Sequence, residues 1–158
     1  MAENTKRAVE AVAVPIRPKR TNYPPDLASR VAGRDKRVLG DLFGLTVFGV
    51  NLTSLAPGAQ SALYHRHSRE DEFVYVVEGE PTLVAEGEEI VLRPGMCAGF
   101  PAGGPAHHLI NRTDRTITFL EIGDRNPQDE VDYPEDDLRV AAGPAGRRIM
   151  TRKDGTPV

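Results

Sequence analysis

An all-β fold is predicted for this 158-residue chain by three observations. Short stretches rich in Val, Phe, Ile and Thr follow one another between residues 62 and 122, each closed by turn residues. Thirteen prolines and fifteen glycines supply the corners that many short strands need. No stretch keeps a long helical period, and nothing repeats. The length suits one core and is short for two.

In chain order, residues 1 to about 20 mix charge with small apolar residues and end in the basic cluster Arg17-Pro-Lys-Arg20, which reads as a solvated arm. Tyr23-Pro-Pro25 breaks any helix, and Asp26 to Val31 can supply a turn or two before Gly33. Leu42 to Leu55 is apolar and β-branched, a strand or two broken at Gly44 or Gly49. Strands are then expected over 62–67, 72–78, 81–86, 89–93, 97–100, 106–111 and 116–122, with corners at Gly79, Glu86-Gly87-Glu88 and Arg93-Pro-Gly95. After Gly123 the composition shifts: Asp124 to Leu138 carries seven acidic residues and one Arg, a solvated face with Tyr133 and Leu138 as apolar anchors. A basic arm and an acidic stretch could dock on one another across a dimer. The last residues suggest a short hairpin or tail. The expected organisation is an N-terminal arm (1–40), a β-barrel (41–123) and an acidic C-terminal extension and tail (124–158).

Composition narrows the function. The 39% hydrophobic and 27% charged fractions are those of a globular protein, and a formal net charge of −3 gives no reason to expect a nucleic-acid surface. The single cysteine, Cys97, excludes an intrachain disulfide and a cysteine zinc cluster; it reads as a packed core thiol. Ala8 to Val14 is interrupted by Glu10 and too short for a signal or a membrane span, so a cytoplasmic protein is expected, with no membrane partner.

The chemistry is concentrated between Gly58 and Asn111, which hold all four histidines. A strand points alternate side chains to one face, so His65 and His67 share a face, and Glu72 shares its own with Val74 and Val76. His107, Leu109 and Asn111 share one face and His108 and Ile110 the other, so one of the adjacent histidines points inward. The inward set is His65, His67, Glu72 and His107. Three imidazoles and one carboxylate suit a borderline divalent metal and leave positions for water or substrate.

These residues resemble the two motifs of the cupins, Gly-x5-His-x-His-x3–4-Glu-x6-Gly and Gly-x5-Pro-x-Gly-x2-His-x3-Asn. Glu72 to Gly79, Gly95 to Pro101 and Gly103, and His107 to Asn111 match in spacing. Six residues rather than five separate Gly58 from His65, and three rather than two separate Gly103 from His107. A register shift by one there would exchange His108 for His107. The resemblance implies a double-stranded β-helix (jelly-roll barrel) and one divalent transition metal per chain, Zn, Fe, Mn or Ni. It also implies a small-molecule ligand or substrate in the barrel. Dioxygenases, isomerases, epimerases, lyases and decarboxylases share this ligand set, and a non-catalytic binding or sensing module is the alternative. Glu70, Asp71, Glu121 and Tyr64 are the nearest polar candidates for an acid or base, each with a surface or structural role as its simpler reading. Phe73, Tyr75 and Val77 lie opposite the ligands and are equally apolar, so that face should be covered. A homodimer is what the resemblance implies.

Overall fold

The computed structural model describes residues 8–158; residues 1–7 of the expected arm lie outside the described residues. After a 3-10 turn at Ala11–Ala13, the short helix α1 (Pro25–Ala28) opens on Pro25, whose fixed φ suits a first helical position. Strand β1 (Arg34–Val38) leads into α2 (Leu39–Leu42) and β2 (Phe48–Leu55). The central strands are β3 (Arg66–His67), β4 (Glu72–Glu78), β5 (Thr82–Ala85), β6 (Glu88–Val91), β7 (Cys97–Phe100), β8 (His107–Ile110) and β9 (Ile117–Asp124). Then come β10 (Val131–Asp132), β11 (Arg139–Ala142) and β12 (Arg148–Thr151). The expected all-β class holds, and the central strands fall within a few residues of their expected positions.

All pairings are antiparallel. A five-stranded sheet runs β1-β2-β9-β4-β7 and a three-stranded one β6-β5-β8. Between them sits the main core, built on Leu55, Val74, Val76, Leu109, Ile117 and Phe119. The turn at Gly79 needs its glycine twice over. Its φ is +80°, and a Cβ there would lie 2.5 Å from Ile117 Cγ2.

Several expectations change. Arg34–Val38, assigned to the arm, pairs residue for residue with Leu55–Asn51 and forms the edge of the large sheet. The acidic C-terminal extension is not an irregular tail: β10, β11 and β12 form a four-stranded sheet with β3. Tyr133 and Leu138 do act as anchors, but within the same chain, in a second core with Val31, Leu63, Val131 and Val140. The acidic run is correspondingly not all solvated, since Asp129 is 0% exposed. Cys97 is exposed, because it pairs with Tyr75 on the outward side of the sheet and not on the core side. Among the described residues, no helix is long and apolar enough to cross a membrane.

Candidate metal centre

His67 ends the short strand β3 and His65 lies just before it, and both line the cavity. His65 pairs through its backbone with His107, N–H to carbonyl in both directions at 3.3 and 2.8 Å, which fixes the two histidines side by side. Glu72 begins β4 opposite Phe100 and Gly123, so its carboxylate reaches the same point from the other sheet. The His107 ring stacks on Phe100 with centroids 3.4 Å apart, and the His65 ring lies over Tyr133 at 6.0 Å. His107 faces Glu72. His108 faces the other way, edge-on to Tyr64, with Nδ1 3.2 Å from the Ala62 carbonyl.

The three inward imidazoles converge on one carboxylate. Nε2 of His107 is 2.9 Å and Nε2 of His65 3.4 Å from Glu72 Oε2, and Nε2 of His67 is 3.6 Å from Oε1. The opposite nitrogens already have acceptors. His65 Nδ1 lies 2.8 Å from the Leu63 carbonyl, His107 Nδ1 3.3 Å from that of Pro105, and His67 Nδ1 2.6 Å from Asp129 Oδ2. A neutral imidazole donates from one nitrogen only, so these contacts put the proton on Nδ1 and leave an Nε2 lone pair aimed at the carboxylate. Acceptors then face an acceptor, and the buried Oε2 has no hydrogen bond of good geometry. Full protonation is no remedy, because it would crowd three cations around one carboxylate. A cation shared by the four groups satisfies every lone pair, and the donor set fits a borderline divalent ion. Burial raises the Glu72 carboxyl, and only with a proton on Nε2 would the imidazoles of His107 and His65 outweigh it and hold the group well below the usual carboxylate range.

Behind His67 is a second layer that the sequence reading missed. Asp129 holds His67 through Oδ2, while its Oδ1 accepts the Arg69 and Glu70 N–H groups at 2.8 and 3.2 Å. Glu70 is buried, accepts the Asn126 N–H at 2.8 Å and pairs with Arg148 of β12. His67, Glu70 and Asp129 could also gather around an ion. Arg148 already supplies the positive charge there, 3.4 Å from Asp129 Oδ2, which makes this cluster a support and not a second centre. Burial raises the Asp129 carboxyl, and His67, the Arg69 N–H and Arg148 overcome it, so the group sits below its ordinary range. An acidic residue in a run of seven reads as solvated, so the only signal in the sequence was its proximity to Tyr133.

The other polar candidates separate. Asp71 accepts the Ala102 N–H and the Tyr64 hydroxyl accepts that of Glu86, both structural contacts. Glu121 lines the same cavity as the histidines, a space of about 910 Å³. Its Oε2 accepts from Thr53 Oγ1 at 2.8 Å and pairs with Lys36 Nζ at 2.7 Å. Register sets it beside Val74, one strand over from Glu72 and two residues along.

The family described as "Cupin domain" matches residues 51–123. A protein from Silicibacter pomeroyi, described as a sugar phosphate isomerase from a cupin superfamily, is 41% identical; 96% of each chain is covered and the TM-score is 0.87. The chain belongs to the cupin superfamily. A protein from Acidithiobacillus ferrooxidans, proposed to be a sugar phosphate isomerase, is 32% identical to this cupin, covers 86% of it with 94% of its own chain, and has a TM-score of 0.72. A polyketide cyclase from Streptomyces resistomycificus, 22% identical over 75% of this chain and 79% of its own, shares the fold at a TM-score of 0.62. No curated protein matches the cupin in sequence.

Proposed function

We propose that this cupin is a cytoplasmic homodimeric isomerase of phosphorylated sugars, with one divalent transition metal per chain held by His65, His67, Glu72 and His107. The convergence of three imidazole Nε2 atoms on the Glu72 carboxylate, whose buried Oε2 has no hydrogen-bond partner, carries the metal part of this reading. The substrate class is supported by the two relatives of highest identity described above, both associated with sugar phosphate isomerisation.

Isomerisation of a sugar moves a proton between neighbouring atoms of one substrate, so the site needs an electrophile at the carbonyl and a group that takes and returns the proton. A metal held by His65, His67, Glu72 and His107 would supply the electrophile. The proton falls to Glu121, a carboxylate on the β9 wall of the cavity that neither surrounds the metal nor supports His67; Asp124, at the end of the same strand, accepts the Asp71 N–H. Thr53 and Lys36 fix Glu121 Oε2, and Oε1 has no side-chain partner among the described residues. Phe100, Val74 and Leu109 keep the adjoining wall apolar, which limits competing water.

Metal analysis of untagged protein, with a panel of phosphorylated aldoses and ketoses followed by NMR, tests the reading. About one metal per chain is expected, together with interconversion of at least one substrate that stops on chelation and returns on reloading. His107→Ala should lose the metal and His108→Ala keep it. Metal retained by His107→Ala and lost by His108→Ala would overturn the ligand set. Metal and sugar phosphate bound without turnover would favour the non-catalytic alternative.

A further inference from the structure

The cavity carries more positive charge than its walls neutralise, and the excess is gathered at one place. Of its lining cations, Lys36 pairs with Glu121, Arg125 with Asp41 and Arg148 with Glu70. Arg17, Lys19 and Arg34 have no carboxylate partner among the described residues. Arg34 is only 7% exposed. Its side chain leaves β1 on the inward face, donates from Nη1 to the Ser61 carbonyl and from Nη2 to the Arg20 carbonyl at 3.2 Å. Arg17 Nη2 donates to that same Arg20 carbonyl, also at 3.2 Å. Two guanidinium groups therefore meet at one carbonyl oxygen, and the Nε of each is buried with no hydrogen-bond partner.

Such an arrangement is costly as it stands. Like charges at this separation repel, and around Arg34 burial removes the water that would screen them. Burial pushes the Arg34 guanidinium below its usual range, the Arg17 charge adds to the effect, and only Glu121 and the tyrosines oppose it. An oxyanion between the two forks converts the repulsion into two sets of charge-assisted hydrogen bonds, a geometry to which guanidinium is well matched. The backbone is organised to keep the pair together, since the Arg17 N–H donates to the Lys36 carbonyl at 2.8 Å and ties the N-terminal segment to β1.

We infer that Arg17 and Arg34, with Lys19 at the rim, form an oxyanion subsite of the barrel cavity that holds the phosphoryl group of the substrate, so that residues 17–20 are part of the binding site. The substrate assignment rests on the proposed function; the subsite itself does not depend on the metal.

Titration of the full-length protein with inorganic phosphate, followed by calorimetry with and without a chelator, tests it. Wild type should bind phosphate in both conditions. Arg17→Gln should weaken phosphate roughly ten- to hundredfold while leaving metal content unchanged. His67→Ala should lose metal and keep phosphate. Arg34→Gln should behave like Arg17→Gln; because Arg34 is buried that variant could fail to fold, and Arg17→Gln then decides. The subsite is overturned if wild type shows no binding at about 10 mM phosphate, if Arg17→Gln binds as wild type does, or if binding disappears in His67→Ala alone, which would assign the phosphate to the metal. Acetate competing as well as phosphate would overturn the phosphoryl assignment. Loss of phosphate in Arg17→Gln from a protein without isomerase activity would leave the subsite standing and remove only the proposed reaction.

Discussion

Asp129 determines how His67 presents itself. Its Oδ2, 2.6 Å from Nδ1, fixes both the ring orientation and the tautomer, and four further donors hold the carboxylate in place. Partners of this kind commonly change metal affinity ten- to a hundredfold when removed. Asp129→Ala should weaken metal binding by about that factor in a chelator competition, with the circular dichroism of the folded protein retained. A folded variant with wild-type affinity would show that Asp129 only braces the loop of Arg69 and Glu70. At this scale the inward set was legible, because strand alternation and spacing are local properties. His107 and His108 fall on the faces that alternation gives them, the extra residue before His107 being absorbed in the loop. Asp129 was not legible: it is separated from His67 by 61 intervening residues, and nothing in an acidic run marks the one member that will be buried.

The strands divide in the same way. β4, β5, β6 and β7 show apolar residues between turn signals, and their limits follow from that pattern. β1 reads Arg-Asp-Lys-Arg-Val, four charged residues of five, so no apolar alternation marks it as a strand; its inward residues, Arg34 and Lys36, face a polar cavity and not the core. Residues 62–65 contribute only an isolated bridge at His65, so the expected strand shrinks to Arg66–His67. The C-terminal sheet was hidden because its apolar residues pack on Val31 and Leu63, far away in sequence. Leu138 is fully buried at the centre of that packing. Leu138→Ala should cost roughly 2–5 kcal/mol in urea unfolding, and it should loosen the sheet that carries Asp129 and Arg148. Metal affinity should therefore fall with stability, whereas a comparable truncation in the main core at Ile117 should lower stability with less effect on affinity. Equal loss of affinity in both variants would mean that the C-terminal sheet has no special link to the site.

For the molecule as a whole, the outward face of the five-stranded sheet stands out by the apolar residues it leaves exposed. Two rows of apolar residues cross it: Val50, Ile122 and Phe73 in one, Leu52, Leu120 and Tyr75 in the next. The N-terminal segment covers the β1 edge, where the Val12 carbonyl accepts from Arg37, and Leu52 is buried there. Farther across, Phe73, Tyr75 and Val77 are 39, 41 and 48% exposed. Exposed apolar residues of this kind suit an interface, and we propose this face as the contact of the homodimer. A second copy brings the same two rows, so a twofold contact is self-complementary, and about 800 Å² per partner would make it stable. The patch lies on the side of the sheet opposite the cavity, so breaking the contact should not dismantle the site. Tyr75→Glu, which places charge at the centre of the patch, should convert a dimer into a monomer in light scattering while metal content stays at the wild-type level. Wild-type protein that is monomeric at about 100 μM would rule out this face as a stable homodimer interface.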